Sequence, residues 1–243
     1  MEGLVVPTPR LRALILDFDE TMADTIAARS EAFQKAALHV LGKEITVAQA
    51  RGALLSSSNV EGQMTLLADG RTSAISALVD TYREHVYRPE RAPLALYPGM
   101  AEALAALTTA GIRLGLVTSR YRIGPNGNAA WGVHGELQRM GRGDVFEVIV
   151  GFEDSTEHKP SPAPFLACLG QLGLSANECM AVGDAATDIL GAKAAGIAAA
   201  AALWGCQDRA GLLASKPDTL LQTPLDLKYV LTGQRPFTSE GSS

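Results

Sequence analysis

Five short apolar runs punctuate the chain, each closing on polar residues: LRALILDFD (11–19), IRLGLVTSR (112–120), VFEVIVGFED (145–154), CMAVGD (179–184) and GIAAAAALWG (196–205). Runs of this length predict strands buried on both faces of a parallel sheet. Between most of them the apolar spacing becomes helical. Gly111, Gly173 and Gly196 follow periodic segments where a left-handed helix cap would sit. Ser161-Pro162 predicts an N-cap followed by proline at the first helical position. Strands alternating with helices predict an α/β fold, with functional groups gathered at the carboxyl ends of the strands.

One interval breaks the rhythm. From Asp17 to Thr118 is 101 positions, whereas an ordinary strand–helix–strand unit takes roughly 30. An inserted all-helical module is therefore predicted over residues 25–93. Ile26, Ser30, Phe33, Ala37 and Val40 recur at helical intervals and stop before Gly42. Thr46 with Gln49 forms a capping-box signature. Asn59 is placed to cap a helix through Leu67, and Ile75, Leu78, Val79, Tyr82 and Val86 form a further stripe. These stripes read as packing faces. The remaining boundaries follow: a discontinuous core over 11–24 and 94–232, with flexible termini at 1–10 and 233–243. The irregular segment RYRIGPNGNAAWGVHG follows the second strand.

Composition narrows the class. Hydrophobic residues make up 47% and charged residues 19%, enough for a sizeable core and against disorder. Net charge is −5, with no Lys/Arg run, so nucleic-acid binding is not expected. The cysteines Cys168, Cys179 and Cys206 form no CxxC pair, which fits a reducing compartment. The first residues, MEGLVVPTPR, do not read as a signal peptide, and AAGIAAAAALWG is too short to cross a bilayer. The expectation is a cytoplasmic protein without a membrane partner.

The strand exits carry the chemistry. The first run delivers Asp17 and Asp19, the second Thr118 and Ser119, the region after the third Lys159, and the fourth Asp184 and Asp188. Each alone has a plain reading as a turn, a cap or a solvated lysine. Together, in order along one sheet, they do not. Carboxylates without a histidine cluster suit a hard, oxygen-seeking ion such as Mg²⁺. A lysine and a Thr/Ser pair at the same rim suit the oxygens of an anionic group. A nucleophile, a metal and oxygen donors are what phosphoryl transfer requires.

The order DFDET, VTS, HKP, GDAATD resembles the four motifs of the haloacid dehalogenase superfamily, from Leu14 to about Leu203. The insert is similar to the helical cap of its phosphoglycolate phosphatase-like branch, also seen in β-phosphoglucomutases. The resemblance implies a Rossmann-like parallel core flanked by helices, with an inserted all-helical cap. It implies Mg²⁺-dependent hydrolysis of a small phosphorylated metabolite through an aspartyl phosphate. Asp17 would be nucleophile and metal ligand. Asp19 would be general acid/base and bind the metal through its backbone carbonyl. Thr118, Ser119 and Lys159 would hold the phosphate, Asp184 would complete the metal site, and Asp188 would support it. An acid at Asp19 favours ester substrates over the halide, phosphonate and ion-pump chemistries of other members.

Two positions depart from the pattern. Glu20 stands where most capped relatives have glycine, and Ala185 where a small hydroxyl residue is usual. Segment 121–135 is also longer than the relatives' counterpart. A phosphosugar mutase on the same fold, or a non-catalytic phosphometabolite-binding protein, are the rival readings. Neither GxGxxG after the first strand nor GxSxG is present, so dinucleotide and serine-hydrolase chemistry are not indicated. The predicted lid hinges are Met22–Thr25 and Ala92–Tyr97. Specificity is assigned to the break RGALLSSSNVEG (51–62), with Arg51 gripping a second anionic group of the substrate. A monomer or homodimer is expected.

Overall fold

A computed structural model describes residues 11–57, 59–87, 94–124, 127–128 and 130–231. Six parallel strands form the central sheet in the order β5-β4-β1-β6-β7-β8: β1 (Ala13–Leu16), β4 (Arg113–Val117), β5 (Val148–Val150), β6 (Cys179–Gly183), β7 (Ala198–Ala202) and β8 (Thr219–Leu221). All five apolar runs supply a strand, though the third supplies only three residues, because Phe152–Asp154 turns into a 3₁₀ helix. The sixth strand, β8, has too short an apolar run to stand out.

Side chains alternate across the sheet. Leu14 and Leu16 join a cluster with Met100, Leu104 and Val133, whereas Ala13 and Ile15 face Phe165, Leu169 and Ile189. Helices α5 (Met100–Thr109) and α6 (Gly132–Arg139) supply the first layer, and α7 (Ala163–Leu172) and α8 (Ala186–Ala194) the second. In β7, which is all alanine, Ala199 and Ala201 serve one layer and Ala200 and Ala202 the other, leaving room for close helix approach. Helix α9 (Arg209–Ala214) packs beside α8 in the second layer, through Leu212. Helix α7 begins one residue later than expected. Pro162 is its N-cap, and the Ser161 hydroxyl accepts from the Ala163 N–H at 3.2 Å.

The long interval holds four helices: α1 (Ile26–Leu41), α2 (Val47–Leu54), α3 (Val60–Ala68) and α4 (Ile75–Val86). They enclose a cluster of their own around Phe33, Met64, Leu78 and Tyr82. The expected caps are present: Gly42 is left-handed, Thr46 and Gln49 cap reciprocally, and Asn59 accepts from the Gly62 N–H. Where the chain leaves and rejoins the core, β2 (Ala23–Asp24) and β3 (Ala95–Leu96) pair antiparallel, Ala23 opposite Leu96. The two expected hinges are thus strands of one ribbon, while Ala92 and Pro93 lie outside the described residues. Segment 121–135 turns helical from Gly132, earlier than its composition suggests.

Candidate functional site

Successive connections leave the sheet in opposite directions after β1 and β6, and the crevice between their carboxyl ends is where such sheets bind ligands. Asp17 follows β1, its N–H bonded to the Val182 carbonyl at 3.0 Å. Asp184 follows β6. Lys159, in the loop after β5, is 4% exposed at its side chain and donates to Asp17 Oδ1 at 2.6 Å and to Asp188 Oδ1 at 2.7 Å. The other Asp188 oxygen accepts from the Ala185 N–H at 3.1 Å, tying it to the start of α8. A Cβ on Gly183 would lie 2.2 Å from the Asp188 side chain, so glycine is needed for that approach.

Carboxylate oxygens of Asp17, Asp184 and Asp188 lie within 4.8 Å of one another. Burial pushes the Asp17 carboxyl up to about 7; Lys159 opposes the shift, while Asp188 and Asp19 add to it. Burial likewise raises Asp184 well above the usual range, with Asp188 and Asp17 adding repulsion and Thr21 opposing it through a 2.9 Å hydrogen bond. Two of the three close carboxylates, Asp17 and Asp188, share one ammonium while Asp184 has none, and the excess negative charge fits a divalent cation with oxygen ligands. The side-chain cluster joins Asp188, expected as a supporting residue, to Asp17 and Asp184; Asp19 was expected to contribute its backbone carbonyl rather than its side chain. The Asp19 carboxylate is engaged elsewhere: Arg120 Nε lies 2.9 Å from both its oxygens. Burial alone would raise Asp19, but Arg120 and then Arg29 overcome it and hold it near 2.

Arg120 was not among the residues singled out in the sequence. What places it is the register, which the sequence does not show: Leu16 pairs with Leu116, so equal offsets along β1 and β4 bring position 19 beside 119 and 120. Ser119 is exposed and borders the crevice. Thr118 is buried, its hydroxyl accepting from the Arg120 N–H at 3.1 Å. Glu20 adopts a left-handed backbone, φ 60°, a conformation that glycine takes without steric cost. Its buried carboxylate accepts from the Thr25 N–H (2.9 Å), the Thr25 hydroxyl (2.7 Å) and the Tyr97 hydroxyl (2.6 Å). Gly205 lies under the Glu20 carbonyl, where a Cβ would come within 1.8 Å.

The placement of Arg51 needs correcting. The sequence put it in an open break; it lies in α2, because that helix runs on to Leu54, and α3 begins at Val60. Arg51 is exposed and reaches Gln207 at 3.3 Å. The residues of the insert that border the crevice are Ile26, Arg29, Leu54, Leu55, Ser57 and Gln63, and of these Leu54, Leu55 and Ser57 fall within the stretch 51–62; Gln207, the partner of Arg51, borders it too.

A family described as haloacid dehalogenase-like hydrolase matches residues 14–202. The chain belongs to that family. As a haloacid dehalogenase-like hydrolase it lies on the phosphoglycolate phosphatase-like branch. It is 30% identical over 193 residues to a phosphoglycolate phosphatase of Rhodospirillum rubrum, covering 76% of this chain and 77% of that one. It is 26% identical over 222 residues to the pyrophosphatase PpaX of Oceanobacillus iheyensis, covering 91% and 96%. Among solved structures, a mutant of CbbY from Rhodobacter sphaeroides in complex with xylulose-(1,5)-bisphosphate shares the fold, with a TM-score of 0.70 and 21% identity, covering 89% of this chain and 96% of that one. Among the described residues no helix is long and apolar enough to cross a membrane.

Proposed function

We propose that this hydrolase is a Mg²⁺-dependent phosphatase that cleaves a small phosphorylated metabolite through an aspartyl phosphate on Asp17. The observation that carries the reading is the joint hold of Lys159 on Asp17 and Asp188 beside Asp184, at the crevice. Asp17 and Asp184, with Asp188 close by and the backbone carbonyl of Asp19, would hold the ion. Bound there, Mg²⁺ would neutralise carboxylate and phosphate charge and so favour an anionic nucleophile approaching an anionic ester.

An Asp17 oxygen bonds to phosphorus while the ester P–O bond breaks, and Asp19 supplies the proton that the departing alkoxide takes up. Water then attacks phosphorus, its proton passes to Asp19, and the Asp17–phosphorus bond breaks to release phosphate. Held ionised by Arg120, Asp19 is already in the form that the second step needs. Donation in the first step requires that pair to loosen. Lys159 aims Asp17 and, with Ser119 and Thr118, offers donors for phosphate oxygens.

The helical insert, residues 25–93, acts in this reading as a lid that excludes stray water. A reducing, cytoplasmic setting and a monomer or homodimer belong to the same proposal; three free cysteines, two of them buried, support the former. Turnover of p-nitrophenyl phosphate with Mg²⁺, lost in excess chelator, tests the core reading. Full turnover in chelator would overturn the metal assignment. Isomer formation from a hexose phosphate without phosphate release would make the chain a mutase.

A further inference from the structure

Two cavities meet at the site. One, about 300 Å³, holds Asp17, Asp184 and Asp188. The other, about 350 Å³, extends beneath α3 and α4. Asp19, Arg29, Gln63, Ser119 and Lys159 border both, so a phosphate seated at Asp17 would project its leaving group into the second lobe.

That lobe has a distinct chemistry. The chain is aromatic-poor, at 5%, yet Tyr82, Tyr87, Tyr121 and Phe152 all border this space. Tyr121 and Phe152 have ring centroids 5.3 Å apart, and the Arg83 guanidinium lies over both rings at 5.0 and 5.6 Å. The two rings are tilted by 55°, His158 stacks on Phe152 at 3.9 Å, and Arg83 also reaches Glu61 at 3.4 Å, so the wall is aromatic and faceted, with one guanidinium set into it.

The polar groups on the shared wall are incompletely matched. Arg29 reaches only the Tyr82 hydroxyl, at 3.4 Å, and has no carboxylate within ion-pair distance among the described residues. Gln63 is 4% exposed. Its Nε2 donates to the Ser57 carbonyl, and its Oε1 has no partner; Arg120 Nη2 is likewise buried and unpartnered. A buried donor or acceptor left unmade costs about 1–3 kcal/mol, so these groups point to a ligand with both an acceptor and a donor.

Size argues the same way. A water fills about 30 Å³ of liquid, so the lobe has room for on the order of ten. A two-carbon acid would replace only a few of them.

We propose that the leaving group of the natural substrate is a planar heteroaromatic ring system carrying both carbonyl and N–H groups, as in a pyrimidine nucleoside monophosphate. The ring lies along Tyr121, Phe152 and Arg83, with Arg29 and Gln63 reading its polar edge. This rests on the phosphatase reading above and names the substrate class for that site.

The test compares uridine 5′-monophosphate with glucose 6-phosphate, which is similar in bulk but not planar, and with phosphoglycolate. Acetyl phosphate reports on the catalytic core alone. The expected kcat/KM for the uridine ester exceeds that for the other two esters by at least about tenfold, a difference of about 1.4 kcal/mol. Arg29→Met should lower it at least about tenfold more than it lowers acetyl phosphate turnover, chiefly through KM. Tyr121→Leu should do the same, so misfolding of one variant does not decide the outcome. Equal kcat/KM for all three esters, or equal losses on the uridine ester and acetyl phosphate, would overturn the proposal. Should no compound turn over, acetyl phosphate included, the catalytic reading fails, and calorimetry with Mg²⁺ then decides the lobe. Uridine 5′-monophosphate binding at least about tenfold tighter than inorganic phosphate upholds it, and equal binding sinks it.

Discussion

The Tyr97 hydroxyl donates to Glu20 at 2.6 Å, joining the loop after Asp19 to the end of the β2–β3 ribbon. Thr25, at the mouth of α1, fills the other carboxylate oxygen with two further donors. Glu20 thus fastens both chain crossings between sheet and insert. Burial raises the Glu20 pKa against the pull of these donors, so each bond matters. Tyr97→Phe should destabilise the chain by about 1–3 kcal/mol, since one buried oxygen loses its donor. Urea unfolding at constant m-value checks this; an unchanged midpoint would mean the bond is idle.

Asp17→Asn should lower phosphatase turnover by at least about a thousandfold, because an amide is neither nucleophile nor charged ligand. It should not lower the stability of the metal-free protein at neutral pH, since the fold disfavours the ionised form of Asp17. Steady-state kinetics with thermal melting of the same sample decides the point. Loss of cooperative melting alongside activity would make Asp17 structural.

The same group fixes a pH dependence. Asp17 rises from 3.8 to about 7 on folding, so between those values the folded, metal-free chain binds more protons than the unfolded one. Its stability should therefore fall as pH rises through that window. Mg²⁺ competes with those protons, and at a hundred times its Kd it should add about 2.7 kcal/mol near neutral pH and less near pH 5. Melting temperatures with and without Mg²⁺ across pH 5–8 show the crossing. Parallel curves would place the ion elsewhere.

Asp19 behaves in the opposite sense. Its pKa is held near 2 by Arg120, below the ordinary 3.8, so it contributes stability above the ordinary value that is lost as pH falls toward 2. Arg120→Met leaves that carboxylate buried without its principal partner and should cost about 3–5 kcal/mol. The acid-unfolding midpoint should shift upward with it. Stability equal to wild type would show that solvent reaches Asp19 freely.

Arg51→Ala should change KM less than about twofold for any ester, since the guanidinium is exposed and reaches only Gln207. A large, substrate-selective rise in KM would return Arg51 to the site.

The parts of this molecule legible in the sequence are those set by local pattern. β1, β4 and β6 carry continuous apolar runs, and Thr46–Gln49 and Asn59 cap their helices through contacts three residues away. Asp17, Lys159, Asp184 and Asp188 could be found because each closes or follows an apolar run. Arg120 and Arg29 could not, because their partners are set by sheet register and by the docking of α1 over the crevice. Tyr121 and Phe152 were hidden for the same reason: what makes them a wall is Arg83, from an element 38 positions before Tyr121. Arg51 was misplaced because serines and glycines after it suggested a break that the helix outlasts.

The ribbon also bears on how the chain finds its shape. Leu16 and Leu116 are neighbours in the sheet but lie 100 positions apart, and ordering so long a span costs chain entropy that grows with its logarithm. Helices α1–α4 bury a cluster of their own, built from contacts closer in sequence, so they can form before the sheet does. Once Ala23 meets Leu96, the free span between the two central strands shrinks to about 27 residues, roughly two halvings worth about 1 kcal/mol of closure entropy. The interruption that splits the sheet in sequence thereby draws its two halves together.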